Sequence, residues 1–248
     1  MRKIFYLVIV FTMFSMFSLS ATDNANTVKK RVGVILSGCG IYDGTEIYEA
    51  AFTVLALENE GVQLIMMAPD IMQANVANHL KNGEALNEQR NVLMESARIA
   101  RGNIKDIKDV SVSDIDALVI PGGMGSILTL SDIMSKGKDC TINPEVERLI
   151  KETYESGKPI GSMCAASLIV AKVLGNGIKI TIGKNNDYFG PMIKEFGAVH
   201  VESTGDKIVI DKTNKIITTP AFMAGPSNSV MYKGISRMIK EVVKLAKK

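Results

Sequence analysis

Three short apolar runs in this chain each close on a turn built from glycine or cysteine: RVGVILS on GCGIYDGT, DALVI on PGGMGS, and GKPIGSM on CAAS. A run of this length, rich in branched aliphatic residues and bounded by turn residues, reads as a buried strand. After the first turn, apolar residues recur at helical spacing over residues 45–60, at Ile47, Ala50, Ala51, Val54 and Leu55, and Gly61 ends the pattern. Strands alternating with helices predict an α/β fold of flavodoxin-like, three-layer type, with a mainly parallel central sheet between two layers of helices. Sites in such sheets form at the carboxyl ends of strands, where all three turns would meet.

The rest of the chain continues the alternation. VQLIMMAPD predicts a second strand, and residues 71–90 read as a loop-rich insertion. Residues 143–156 predict a helix with Asn143 as N-cap and Pro144 at its first position. Residues 165–174 predict another helix; IKITIG, AVHVES, KIVID and KIITTPA predict strands, and residues 226–247 a closing helix. With 248 residues and no linker-like break, residues 31–248 read as a single domain. A net charge of +3, without a basic cluster or an aromatic-studded basic stripe, excludes nucleic acid as a partner.

The N-terminus differs. Arg2 and Lys3 precede an apolar-rich stretch over residues 4–19, then Ser18, Ser20 and Ala21, then polar residues. This layout predicts a secretory signal peptide over residues 1–21 and a flexible linker over 22–30, hence an exported, periplasmic or secreted protein. The alternative is a membrane anchor formed by the same stretch.

Cys39, Cys140 and Cys164 are odd in number, widely spaced and without a CxxC pair, so they form neither a disulfide framework nor a zinc site. With His79 and His200 the only histidines, no metal site is expected. Cys164 sits where GKPIGSM passes into a helix, flanked two residues either side by the small Ser162 and Ala166. That pattern suits a nucleophile elbow, in which a strained turn exposes the nucleophile. A helix N-terminus beside the sulfur would lower the thiol pKa to about 3.5–7.5. A buried core cysteine is the competing reading. PGGMG allows three readings: a tight turn, bared amides for an oxyanion, or a dinucleotide loop that lacks the GxGxxG pattern. Cys39 lies in a turn that would face the same site.

VGVILSGCGIYDGTEIYEA, RNVLMESARIARG, DALVIPGGMGS, GKDCTIN, GKPIGSMCAAS and KIITTPAFM together resemble the ElbB-like proteins. These are a branch of the ThiJ/PfpI superfamily, with the class I glutamine amidotransferase-like fold. The resemblance implies a homodimer whose elbow cysteine is Cys164 and whose partner carboxylate is Glu49, with Glu46 one turn earlier as rival. It also implies an oxyanion hole from the backbone N–H groups of Gly123 and Ala165, with Gly122, Glu46 and Cys39 as accessory candidates. Glu46 at the start of its helix has a dipole-offsetting explanation. Glu49 adjoins the apolar stripe and is expected to be desolvated, with a raised pKa suited to moving protons. Many superfamily members carry a histidine soon after the strand that follows the elbow helix. Here that stretch is ITIGKNNDYF, without one, which counts against amidotransferase or protease chemistry.

The resemblance implies a glyoxalase that acts without glutathione, converting small reactive dicarbonyls such as glyoxal to glycolate with no cofactor. The alternative is a non-enzymatic redox sensor or stress protein whose elbow thiol is oxidised.

Overall fold

Residues 117–120 (ALVI) and 160–163 (IGSM) are buried at every position. An unbroken buried run marks a strand covered on both faces, as in a parallel sheet between helix layers. We describe the chain from a computed structural model, over residues 29–184, 188–225 and 227–247. The strands in chain order are β1 (Arg31–Ile35), β2 (Gln63–Ala68), β3 (Val76–Asn78), β4 (Glu84–Leu86), β5 (Lys105–Asp106) and β6 (Ala117–Ile120). They continue with β7 (Ile160–Met163), β8 (Lys179–Ile180), β9 (Val199–His200), β10 (Val209–Asp211) and β11 (Ile216–Thr219). Seven of them form one sheet in the order β10–β11–β7–β6–β1–β2–β5. Every neighbouring pair is parallel except β10 with β11. The fold is thus the α/β sandwich expected from the sequence.

The helices named below are α1 (Ile47–Asn59), α2 (Val92–Ile99), α3 (Met124–Leu128), α4 (Ile133–Lys136), α5 (Pro144–Glu155), α6 (Ala166–Leu174), α7 (Phe189–Glu195) and α8 (Asn228–Leu245). Helices α1 and α8 pack together on one face of the sheet, and α5 and α6 cover the other. One hydrophobic cluster runs through both layers. Strand order reverses between β1 and β6, so their carboxyl ends open a crevice where ligands bind in folds of this type.

Several expectations need adjustment. Helix α5 is capped as predicted: the Asn143 side chain accepts from the N–H groups of Glu145 and Val146, and Pro144 opens the helix. Helix α1, by contrast, starts at Ile47 rather than residue 45. Thr45 is drawn away because its hydroxyl accepts the N–H of Ser37 at 2.7 Å, which closes the loop after β1. The apolar stripe is also turned: Ile47 is 48% and Leu55 44% exposed, whereas Glu49 and Thr53 face the sheet. Residues 71–90 hold the β3–β4 hairpin rather than structureless loop. The expected linker ends before residue 30, because the Lys30 ammonium already donates to the carbonyl of Val243 on α8 at 2.7 Å. The expected signal peptide, residues 1–21, lies outside the described residues.

Candidate functional site

Cys164 follows β7 directly and precedes α6 by one residue. Its φ is +52°, a left-handed conformation unusual for a side chain other than glycine and costly by about 1–3 kcal/mol. The turn is held because the Cys164 N–H donates to the Thr219 carbonyl on β11, and the Cys164 carbonyl accepts from the Ser167 N–H. Ser162 and Ala166, the small neighbours, are fully buried, and the Ser162 hydroxyl bonds that of Ser167. The elbow expected from the sequence is therefore present. The N–H groups of Ala165 and Gly123 both donate to the sulfur. Gly123 takes a φ of +109° and ends the turn after β6.

Glu49 reaches the same point from the other layer. It lies on the first turn of α1, is fully buried, and its carboxyl is hydrogen-bonded to the Cys164 thiol. Its Oε2 accepts the Gly122 N–H at 2.8 Å and its Oε1 the Phe222 N–H at 3.1 Å. Burial pushes its pKa up to about 7; the two backbone donors oppose this and the charge of Glu46 adds to it. Glu46 itself is the N-cap of α1, its carboxylate accepting the Glu49 N–H at 2.7 Å. It supports Glu49 from beneath and makes no recorded contact with the sulfur. The structure thus brings Cys164, Glu49, Gly122, Gly123 and Ala165 together.

The expectation of a low thiol pKa is corrected. Burial and the neighbouring Glu49 carboxylate raise Cys164 well above the ordinary 9.0, and the amides of Ala165 and Gly123 do not offset them. A single helix terminus contributes little against complete desolvation plus a like charge in a low-dielectric site. We therefore expect iodoacetamide to modify Cys164 slowly at pH 7 and faster only above about pH 9. Peptide mass spectrometry after timed alkylation measures this, and rapid labelling of Cys164 below pH 8 would contradict it.

Cys39 does not join the site. It lines a separate groove with Ile47, Val54 and Met66, while its neighbours Ile41 and Tyr42 turn toward Cys164. Cys140 is buried in the core. The imidazole of His79 packs against the Tyr42 ring, and His200 lies at the end of β9; neither lines the cavity at Cys164. Among the described residues, no grouping of His, Cys, Asp or Glu is suited to a metal ion.

Phe222 was not singled out by the sequence reading. It follows Ala221, a second left-handed residue with φ +46°, just beyond the end of β11. That turn aims the Phe222 N–H at Glu49 and places its side chain in the cavity wall. Its only signal in the chain is the proline that closes a strand in TTPAFM, paired in register with the cysteine strand.

Residues 39–226 match the model of the DJ-1/PfpI family. The chain is 42% identical to the mitochondrial glutamine amidotransferase-like class 1 domain-containing protein 3 of Homo sapiens, over 88% of this chain and 84% of that one. It is 40% identical to the mitochondrial ES1 protein homolog of Rattus norvegicus, over 91% and 88%. Among solved structures, an isoprenoid biosynthesis protein with amidotransferase-like domain from Ehrlichia chaffeensis superposes with a TM-score of 0.80 at 38% identity, covering 86% of this chain and 99% of that one. These relatives overturn the expectation of export, since the human and rat proteins are mitochondrial. A basic start with an apolar-rich body is common ground between kinds of leader, so that pattern does not set a compartment. The membrane-anchor alternative falls on residues outside the described ones; within those described, no helix is long and apolar enough to cross a membrane.

Proposed function

This chain belongs to the DJ-1/PfpI family, and we propose that within it the protein is a cysteine-dependent, glutathione-independent converter of reactive dicarbonyls, of the ElbB-like glyoxalase kind. The observation that carries this reading is the buried Cys164–Glu49 hydrogen bond, with two backbone N–H groups aimed at the sulfur. A carboxyl with a pKa of about 7 is half-ionised at neutral pH, which suits a group that must both take and return protons.

The chemistry runs on these groups and water. Glu49 takes the thiol proton as the sulfur bonds to an aldehyde carbon, and the carbonyl oxygen becomes an oxyanion held by the N–H groups of Gly123 and Ala165. Glu49 returns the proton to that oxygen, which leaves a hemithioacetal. It then removes the proton from the same carbon and delivers it to the adjacent carbonyl carbon. The product is a 2-hydroxy thioester, which water cleaves to the hydroxy acid and free thiol. The sum is a dicarbonyl plus water giving a hydroxy acid, an internal redox exchange that needs no outside oxidant.

The test is turnover of glyoxal and methylglyoxal by the purified protein without glutathione. Cys164→Ser should reduce it to background, while Glu46→Gln should cost only severalfold. The glutamine keeps an oxygen to cap Glu49, and losing the neighbouring charge moves the acid limb of the pH–rate profile downward. A pH profile of kcat for both proteins checks this.

A sensor that depends on thiol oxidation is less well supported. Oxidation follows thiolate character and access, and Cys164 is 6% exposed with a raised pKa.

We include a homodimer in the proposal. Exposed Ile47 and Leu55 border a groove that also carries Glu58 and Arg101, so a second copy brings both apolar cover and opposite charges. Sedimentation should show a dimer, and Leu55→Lys a monomer.

A further inference from the structure

Above the sulfur lies a cavity of about 660 Å³. Cys164, Ala165 and Gly123 line it at the reactive end, and its walls include Ile41, Met124, Ile127, Leu128, Phe189 and Phe222. No charged side chain among the described residues lines it. Sites of about 300–1,000 Å³ enclose ligands of drug-like size. Glyoxal, a pair of aldehyde carbons, would occupy a small corner and leave the apolar walls in water. Apolar wall area lowers free energy only when a ligand covers it. A charged tail would lose its hydration there without gaining a partner.

We infer that the preferred substrate is a 2-oxoaldehyde whose keto carbon carries an uncharged apolar substituent of several carbons, alkyl or aryl. This rests on the reading of Cys164 and Glu49 as a dicarbonyl-converting pair and names the class of molecule that pair serves. The aldehyde carbon lies at the sulfur and the substituent points up the cavity between Ile127 and Phe222. The bond changes are those given above: carbon–sulfur bond formation, transfer of the aldehyde proton to the keto carbon through Glu49, and hydrolysis of the thioester by water.

Phe222 joins the two halves of the site. Its N–H holds Oε1 of Glu49 while its side chain forms part of the wall. A tail packed on Phe222 therefore bears on the same short turn that places the carboxyl. The roof comes from the β3–β4 hairpin, whose Asn82 and Gly83 line the cavity. Gly83 lies against the Tyr42 ring, where an added Cβ would come within 3.1 Å. The hairpin is thereby docked onto the loop that follows β1.

The test uses the purified full chain without glutathione. kcat/KM is measured for glyoxal, methylglyoxal, a straight-chain alkylglyoxal series, phenylglyoxal and 4-carboxyphenylglyoxal. Each value is normalised to the rate at which a small free thiol adds to the same compound. We expect kcat/KM to rise about fourfold per methylene until the cavity is full. Phenylglyoxal should exceed glyoxal at least tenfold, and 4-carboxyphenylglyoxal should fall well below phenylglyoxal. Leu128→Lys, at a partly exposed wall position, should lower the phenyl-to-carboxyphenyl ratio at least tenfold. Should that variant fail to fold, the homologous series on the wild-type protein decides alone. Efficient glyoxal turnover with a flat response to tail length would overturn the inference and leave the dicarbonyl reading standing. Absence of turnover for every compound, glyoxal included, would overturn the dicarbonyl reading itself and this inference with it.

Discussion

Glu49→Gln is expected to remove turnover almost entirely, by a factor of about 10²–10⁴, and to flatten the pH dependence of stability. The amide has no proton to exchange at neutral pH, so the thiol loses its base. The stability effect has two opposing parts. The wild-type carboxyl accepts two backbone N–H groups, from Gly122 and Phe222. Glutamine offers one oxygen and an NH₂ group, so one of those N–H groups faces another donor, at a cost of about 1–3 kcal/mol. Against this, the wild-type pKa rises from 4.5 to about 7 on folding. A carboxyl shifted upward favours the fold fully while protonated, below about pH 4.5, and that contribution is lost as pH rises through about 7. The loss amounts to about 3 kcal/mol, because charging the group in the folded protein means charging it out of water. The variant should therefore be less stable than wild type at pH 4 and close to it at pH 8. Urea unfolding of both proteins at each pH measures the difference. A difference that does not change with pH would mean that Glu49 is not desolvated as the structure has it.

Gly123→Ala is expected to cost more than about 3 kcal/mol of stability and to leave no measurable turnover. Gly123 has φ +109°, a region that side chains other than hydrogen rarely enter. A Cβ added there would lie 2.3 Å from the Gly44 carbonyl oxygen and 2.4 Å from the Glu46 nitrogen. Both are backbone atoms, so no rotamer change relieves the clash, and the start of α1 must move. Glu46 caps that helix and Glu49 sits on its first turn, so the displacement carries directly into the Cys164–Glu49 contact. The amide of Gly123 would also leave the sulfur. Thermal unfolding reports the stability term. Wild-type Tm with full activity in the variant would show that the turn after β6 has more freedom than its contacts imply.

Much of the fold was legible in the chain because its signals are local. The runs ALVI and IGSM are apolar at both faces because both faces are covered, and the glycines after them mark where the backbone must turn tightly. Asn143 followed by Pro144 states a helix start outright. The elbow was legible for the same reason: a cysteine between a strand and a helix, with small residues two positions either side, describes a local constraint. Helix α1 was less clear. Its apolar residues lie on several sides, and only the packed sheet shows that Glu49 and Thr53 face inward while Ile47 and Leu55 face out. A carboxyl on the buried face contradicts hydrophobic periodicity, so a pattern-based reading assigns it weakly.

By itself, the sequence determined the alternation of strands and helices, the three turns that converge at one edge of the sheet, and the candidacy of Cys164. It carried these because backbone preference and binary pattern act over a few residues. Tertiary structure alone decided three further matters. It placed Phe222, 173 positions from Glu49, where its N–H reaches that carboxyl. It separated Cys39 from Cys164 although their turns lie at neighbouring strand ends. It also raised the thiol pKa that a helix N-terminus would have lowered. Each depends on what surrounds a group after folding: a desolvated sulfur next to a carboxylate holds its proton, whatever helix follows it in the chain.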